Sequence, residues 1–206
     1  MKMLDLLPIG NFDERLLQEV APALADAFRV PCQILGTRLD PQFAFHRERQ
    51  QFHSSEILQA MQEYAGVGRT LLSDSFNCAS GEREAAELAG RSARPTRPWR
   101  VLGITGVDLY IPILTFVFGE AQMGGPCAVV SFHRLMQEFY GLPADPAVLI
   151  DRLVKECVHE VGHTLDLTHC DDYSCAMAPS HAVEWIDLKE SVLCPSCQER
   201  VVEVVG

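Results

Sequence analysis

The sequence predicts an α/β fold, built as one domain with a mixed β-sheet packed on helices. Short runs of β-branched and aromatic residues, bounded by Gly and Pro, alternate with longer segments whose apolar residues recur at helical spacing. A length of 206 residues suits one domain, and an apolar content of 48% is enough to build its core. We therefore predict a single domain over 1–206, with a sheet-bearing part at 1–145 and a second part at 146–206.

The first elements are two strands and two helices. A strand over MLDLLPI is predicted, closed by Pro8 and Gly10. The helix that follows is capped by Asn11 or Asp13, and Pro22 should kink it or split it. The segment PCQILGTRL is predicted to be a strand, and the second helix begins at Ser54.

In the segment 66–99 the apolar residues follow neither helical nor strand spacing, and we interpret it as an insertion loop. A basic run with no acidic residue inside it begins in this segment and ends just after it: Arg91, Arg94, Arg97 and Arg100. This run is either a nucleic-acid patch or a solvated loop. The lack of an accompanying aromatic platform and the acidic composition of the protein favour the loop.

Three strands are predicted after this loop: VLGITGVDLY, ILTFVFGEA and CAVVSFHRL. Asp145 then provides an N-cap, with Pro146 at the first helical position, and apolar spacing predicts a long helix over 146–165. A last helix is predicted to open at Asp187, with Glu190 completing a capping box.

The net charge of the protein argues against some classes of function, and its cysteine content favours others. With 17 basic and 28 acidic residues the net charge is −11, which argues against nucleic acid or an anionic membrane as partner. The N-terminus is a poor signal peptide, because Asp5 and Pro8 interrupt its apolar run. We expect a cytoplasmic protein, in which eight cysteines indicate metal binding or catalysis rather than disulfides.

The long helix contains an HExxH motif, in which His159 and His163 project from the same face. Both can bind one zinc ion, and Glu160 beside them can activate zinc-bound water. The chain must turn back after Leu165 for His169 to complete a three-histidine site with an open position. The alternative is a buried helix with two incidental histidines, which the spacing disfavours.

Four cysteines near the C-terminus form a C-x₄-C pair and a C-x₂-C pair: Cys170, Cys175, Cys194 and Cys197. Four thiolates can close a tetrahedral, structural zinc site, which would tie the chain after the third histidine to the C-terminal helix. Two disulfides, or a redox-active CPSC motif, are the alternatives. The other four cysteines are interpreted as core or surface thiols.

These motifs together resemble the signature of the archaemetzincins, a zinc metallopeptidase family of the metzincin clan. The resemblance rests on HEVGHTLDLTHC, on Cys175-x-Met177 and on the later Cys194-x-x-Cys197. It extends upstream to GVDLY, FVFGEA, AVVSFHRL and RERQQFHSSEIL. It implies a single metzincin-like domain with a twisted mixed sheet, an active-site helix and a C-terminal helix held by a structural zinc.

The resemblance also implies the roles of individual residues. His159, His163 and His169 bind the catalytic zinc, Glu160 is the general base, and the four C-terminal cysteines bind a second zinc. Met177 matches the methionine of the Met-turn, which lies beneath the metal without binding it. An edge strand along which an extended substrate lies is matched by Thr115, Phe116, Val117, Phe118 and Gly119.

One position departs from the family pattern. Asp166 stands where metzincins have glycine, at the sharp turn after the helix. Asp adopts positive φ at modest cost, so we expect the turn to survive. Its carboxylate could accept a hydrogen bond from a ligand histidine or perturb catalysis.

We therefore predict a cytoplasmic, monomeric zinc peptidase that acts on peptide or protein substrates and binds neither nucleic acid nor membranes. The alternatives are a zinc-stapled peptide-binding module with little or no activity, and a non-proteolytic zinc hydrolase or metal-handling protein. Glu160 favours the enzyme, because a binding module has no need of a carboxylate within HExxH.

Overall fold

The computed structural model describes residues 2–67 and 99–205 and has the predicted mixed α/β architecture. Its strands are β1 (Leu4–Ile9), β2 (Cys32–Ile34), β3 (Phe45–His46), β4 (Gln51–His53), β5 (Arg100–Thr105), β6 (Leu109–Tyr110), β7 (Gly119–Ala121) and β8 (Cys127–Ser131). Its helices are α1 (Arg15–Phe28), α2 (Ser54–Val67), α3 (Pro146–Thr164), α4 (Val183–Leu188) and α5 (Pro195–Val205). Cys78 and nearly all of the proposed insertion loop, including Arg91, Arg94 and Arg97, lie outside the described residues.

The main sheet has five strands in the order β2-β1-β5-β8-β7. The first four run parallel, whereas β7 pairs antiparallel with β8. A smaller sheet has the order β3-β4-β6. Because β7 ends the order of the main sheet, its outer edge is not paired with another strand of the described part of the chain.

Apolar side chains alternate between the two faces of the sheet and form two cores. Leu4 and Leu6 belong to the core that includes α1 and α3, whereas Leu7 and Ile9 belong to the core that includes α2. Helices on both faces explain why the parallel strands are nearly continuous apolar runs. They also fix α3 beside β8 and β7, which determines where the HExxH motif lies.

Several element boundaries differ from the sequence predictions. Pro22 does not split α1, which runs unbroken from Arg15 to Phe28. The proline and Gln18, whose carbonyl would accept the missing N–H, are both exposed, so water can solvate that carbonyl. Of ILTFVFGEA, only Gly119–Ala121 is strand, with one isolated bridge from Val117 to Leu109.

The predicted helix start at Asp187 is wrong. Asp187 lies inside the short helix α4, where its carboxylate accepts hydrogen bonds of 2.7 Å from the guanidinium of Arg152. A carboxylate engaged with another helix is not available as a cap. The last helix, α5, instead begins at Pro195, a residue suited to the first helical position.

Across the ranges 2–67 and 99–205, no helix combines the length and the apolar character that crossing a bilayer requires.

Candidate active site and metal centres

The break that the histidine spacing requires is present at the end of α3. Asp166 has φ of 65°, in the left-handed region. Its N–H donates to the carbonyl of His163 (3.0 Å), and the N–H of Leu167 donates to the carbonyl of Gly162 (3.1 Å). These two bonds define a Schellman motif, which ends the helix and reverses the chain. The turn brings His169 back to the HExxH face.

The three histidines form one cluster of potential ligand atoms, all within 4.8 Å of one another. The Nε2 atoms of His159 and His163 are 3.0 Å apart. Nδ1 of His159 lies 2.9 Å from the carbonyl of Ala176, and Nδ1 of His163 lies 2.7 Å from that of Leu167. A carbonyl only accepts, so each Nδ1 carries the proton and each Nε2 presents a lone pair.

Electrostatics agree with a ligand role. Burial lowers the pKa of His159 well below its usual value, and it also lowers the pKa values of His163 and His169. The neutral imidazole is the form that binds metal. Three such nitrogens in one cleft fit a zinc ion with one position left open.

Glu160 lies in the same cleft and is buried. Burial raises the pKa of its carboxyl group well above the usual value, and the nearby charge of Glu156 raises it further. A carboxylate poised in this way can accept a proton and return it. Its position therefore agrees with the general-base role that the resemblance implies.

The cleft has a volume of about 530 Å³ and lies between α3 and the chain leading into β7. The wall opposite the HExxH motif contains the whole segment matched to the substrate strand: Thr115, Phe116, Val117, Phe118 and Gly119. Only Gly119 lies within β7. The segment is therefore a cleft wall that becomes a strand at its end.

Met177 lies fully buried against α3. Its thioether fills the space beside Gly162, where a Cβ atom would stand 2.4 Å from Sδ. The preceding residue, Ala176, provides the carbonyl that orients His159. This turn therefore supports a ligand histidine through its backbone while its methionine packs against the helix.

The four C-terminal cysteines form the second cluster, with their sulfur atoms within 4.8 Å of one another. Sγ of Cys170 and Sγ of Cys194 are 3.7 Å apart. The backbone N–H groups of Met177 and Cys194 donate to Sγ of Cys175, at 3.4 and 3.3 Å. The described cysteines are free thiols, not disulfides. Four sulfur ligands with N–H donors around them fit a closed, structural zinc site.

The side chain of Asp166 does not accept a hydrogen bond from a ligand histidine. Nδ1 of His163 is occupied by Leu167, as described above. Asp166 is exposed, and its backbone carbonyl accepts from the guanidinium of Arg200 (2.8 Å).

Sequence reasoning missed a buried ion pair below the cleft. Nζ of Lys189 is 2.8 Å from Oε1 of Glu156, and the side chains are 1% and 4% exposed. Glu156 also borders the cleft, one helical turn before Glu160. A glutamate on the apolar face of α3 was the available signal that a partner would be needed.

The fold and the two clusters agree with comparisons to known proteins. The model of peptidase family M54 matches residues 98–203. The archaemetzincin of Methanocaldococcus jannaschii is 32% identical over 94% of this chain and 89% of its own length. The chain belongs to the archaemetzincins, peptidase family M54. The archaemetzincin of Thermococcus kodakarensis is 33% identical over 98% of this chain and 96% of its own length.

Solved structures of similar proteins share the fold. A zinc-dependent peptidase from Methanocorpusculum labreanum has a TM-score of 0.77 at 28% identity, covering 96% of this chain and 99% of that one. The archaemetzincin of Methanopyrus kandleri has a TM-score of 0.71 at 26% identity, covering 98% and 95%. Membership in the family confirms the predicted fold class, the zinc metallopeptidase class and zinc as cofactor. Nothing in these comparisons favours a binding module.

Proposed function

We propose that this peptidase hydrolyses extended peptides laid along β7, with Glu160 as general base and His159, His163 and His169 as ligands of the catalytic zinc. The observation that carries the proposal is the cleft itself. One wall presents three neutral imidazoles and a buried carboxylate. The other presents a strand edge that pairs with no other strand of residues 2–67 and 99–205. The groups that would activate water and the strand edge that would bind the peptide therefore line the same cleft.

When bound, zinc supplies Lewis acidity, which polarises the scissile carbonyl and lowers the pKa of water. The carboxylate of Glu160 takes a proton from the attacking water and passes it to the nitrogen of the leaving amine. Nδ1 of His159 and Nδ1 of His163 stay protonated and bonded to backbone carbonyls, which holds both rings in place.

Main-chain pairing would allow the enzyme to bind peptides of many different sequences. A substrate strand added beside β7 forms backbone hydrogen bonds that do not depend on its side chains. The flanking residues Phe116 and Phe118, whose rings are 5.2 Å apart, give this wall apolar character. Extended rather than helical peptides are the expected substrates.

The remaining parts of the proposal concern assembly. We place Cys170, Cys175, Cys194 and Cys197 around a structural zinc and Met177 beneath the catalytic site. We also propose that the enzyme is a monomer built as a single domain over 1–206. A four-thiolate site persists in a reducing compartment, which supports a cytoplasmic location.

The test is a digest of an unbiased peptide library by the wild type and by the Glu160→Gln variant. We expect the wild type to cleave, and the variant to cleave about 10²- to 10⁴-fold more slowly. Elemental analysis should find two zinc ions per chain in both proteins. Equal product profiles would remove Glu160 as the base. Absence of products from the zinc-loaded wild type would favour a peptide-binding module.

A further inference from the structure

Gly119, in β7, lies directly against the side chain of Glu160. A Cβ atom built on Gly119 would stand 2.6 Å from Cγ of Glu160, 2.7 Å from Oε1 and 2.8 Å from Cδ. Ordinary contacts between such atoms are about 3.5 Å or longer. The carboxylate of Glu160 therefore occupies space that any other residue at position 119 would fill.

The strand cannot move aside to make that space. Gly119 pairs with Val130 of β8, and the carbonyl of the preceding Phe118 accepts from the N–H of Ser131 (2.8 Å). The following residue, Glu120, accepts a hydrogen bond of 2.8 Å from Oγ of Ser55 at the start of α2. Hydrogen bonds on both sides thus fix the backbone at Gly119.

A side chain at position 119 would displace the side chain of Glu160 rather than the backbone of β7. Its side chain is flexible, whereas β7 is held by backbone and side-chain bonds. Relief of contacts below 3 Å requires the carboxylate to move by about 1 Å, a displacement that can cost about 10²-fold in rate.

We propose that Gly119 is a positioning residue of this peptidase: its missing side chain lets the carboxylate of Glu160 lie between β7 and the histidines. The proposal rests on the proposed role of Glu160 as general base. It assigns Gly119 a task separate from pairing with substrate, because the contact is between the enzyme's own residues.

The experiment compares Gly119→Ala with Gly36→Ala as matched control, since a Cβ atom at Gly36 meets nothing within 4 Å. The assay uses the full-length, zinc-loaded enzyme and a fluorogenic peptide taken from the library digest. We expect kcat of Gly119→Ala to fall about 10²-fold, with KM and zinc content close to those of the wild type. Gly36→Ala should leave kcat unchanged. A kcat for Gly119→Ala within threefold of the wild type would overturn the proposal.

A double-variant cycle tests whether Gly119 acts through Glu160. In the Glu160→Gln background, Gly119→Ala should cause no further fall in kcat, because the carboxylate is already absent. A full additional fall would show that Gly119 acts on something else. Activity of Glu160→Gln equal to the wild type would instead remove the proposed base, so the two failures are distinguishable.

Melting temperatures of single and double variants test the same contact where activity is too low to measure. The melting temperature of Gly119→Ala should be lower than that of Gly36→Ala, and this difference should vanish in the Glu160→Ala background, where Cγ and the carboxyl group are gone. If Gly119→Ala does not fold, Gly119→Ala/Glu160→Ala should fold. An equal loss in both backgrounds would contradict the proposed contact.

Discussion

Replacing Lys189 with methionine should test the buried ion pair below the cleft. The substitution keeps the length of the side chain but removes the charge that lies 2.8 Å from Glu156. The carboxylate of Glu156, 4% exposed, is then left without its counter-ion. Removing one partner of a buried pair costs about 3–5 kcal/mol. We therefore expect Lys189→Met to lower the free energy of unfolding by about 3–5 kcal/mol at pH 7.

The same helix offers a matched control. Lys155 is 7% exposed, but its partner Asp151 is 53% exposed. Lys155→Met leaves a hydrated carboxylate behind and should cost at most about 1 kcal/mol through lost pairing. Urea denaturation at a fixed free zinc concentration measures both variants.

The paired substitution Lys189→Met/Glu156→Leu distinguishes a stranded charge from lost packing. Replacing both partners of a buried pair is often neutral, so this variant should recover to within about 1 kcal/mol of the wild type. Equal losses for Lys189→Met and Lys155→Met would refute the reasoning. Failure of the paired variant to recover would show that packing, not charge, holds the site together.

Three further predictions concern a glycine inside α3, the turn at Asp166 and two cysteines. Ala normally stabilises a helix interior relative to Gly, but Gly162→Ala should destabilise by about 1–3 kcal/mol in urea melts because it collides with Met177; a gain in stability would contradict that contact. Asp166→Gly should raise the urea midpoint by an amount equivalent to about 0.5–1 kcal/mol, because glycine accepts a φ of 65° without strain; a lower midpoint would point to an unrecognised role of the carboxylate. Burial raises the pKa of the Cys127 thiol to about 12 and that of Cys32 to about 11, so iodoacetamide at pH 8 should modify neither in the folded protein and both in urea, as peptide mass mapping would show.

Elements with strong local signals were predictable. Asp145 and Pro146 begin α3 as the capping rules require, and the carboxylate of Asp145 accepts from the N–H groups of residues 147 and 148. The turn at Asp166 followed from the histidine spacing, because a continuing helix would carry the third histidine away from the metal. Such features depend on residues close together in sequence, so one sequence suffices to predict them.

The C-terminal region shows where local rules fail. Asp187 and Glu190 have the spacing of a capping box, but Arg152 of α3 binds Asp187 and draws it into α4. A charge-assisted bidentate contact with a distant helix outweighs a cap of about 1 kcal/mol. Arg152 and Asp187 are far apart in the sequence, so a local sequence pattern cannot reveal that they compete with the cap.

The spacing of histidines and cysteines in the sequence was enough to specify two zinc centres, because ligand type and ligand interval are local properties. The packing of distant segments added what spacing cannot contain. It determined that Lys189 neutralises Glu156, and that Gly119 leaves room for Glu160. Both contacts join residues far apart in the chain, and their geometry exists only once the sheet and α3 have packed together.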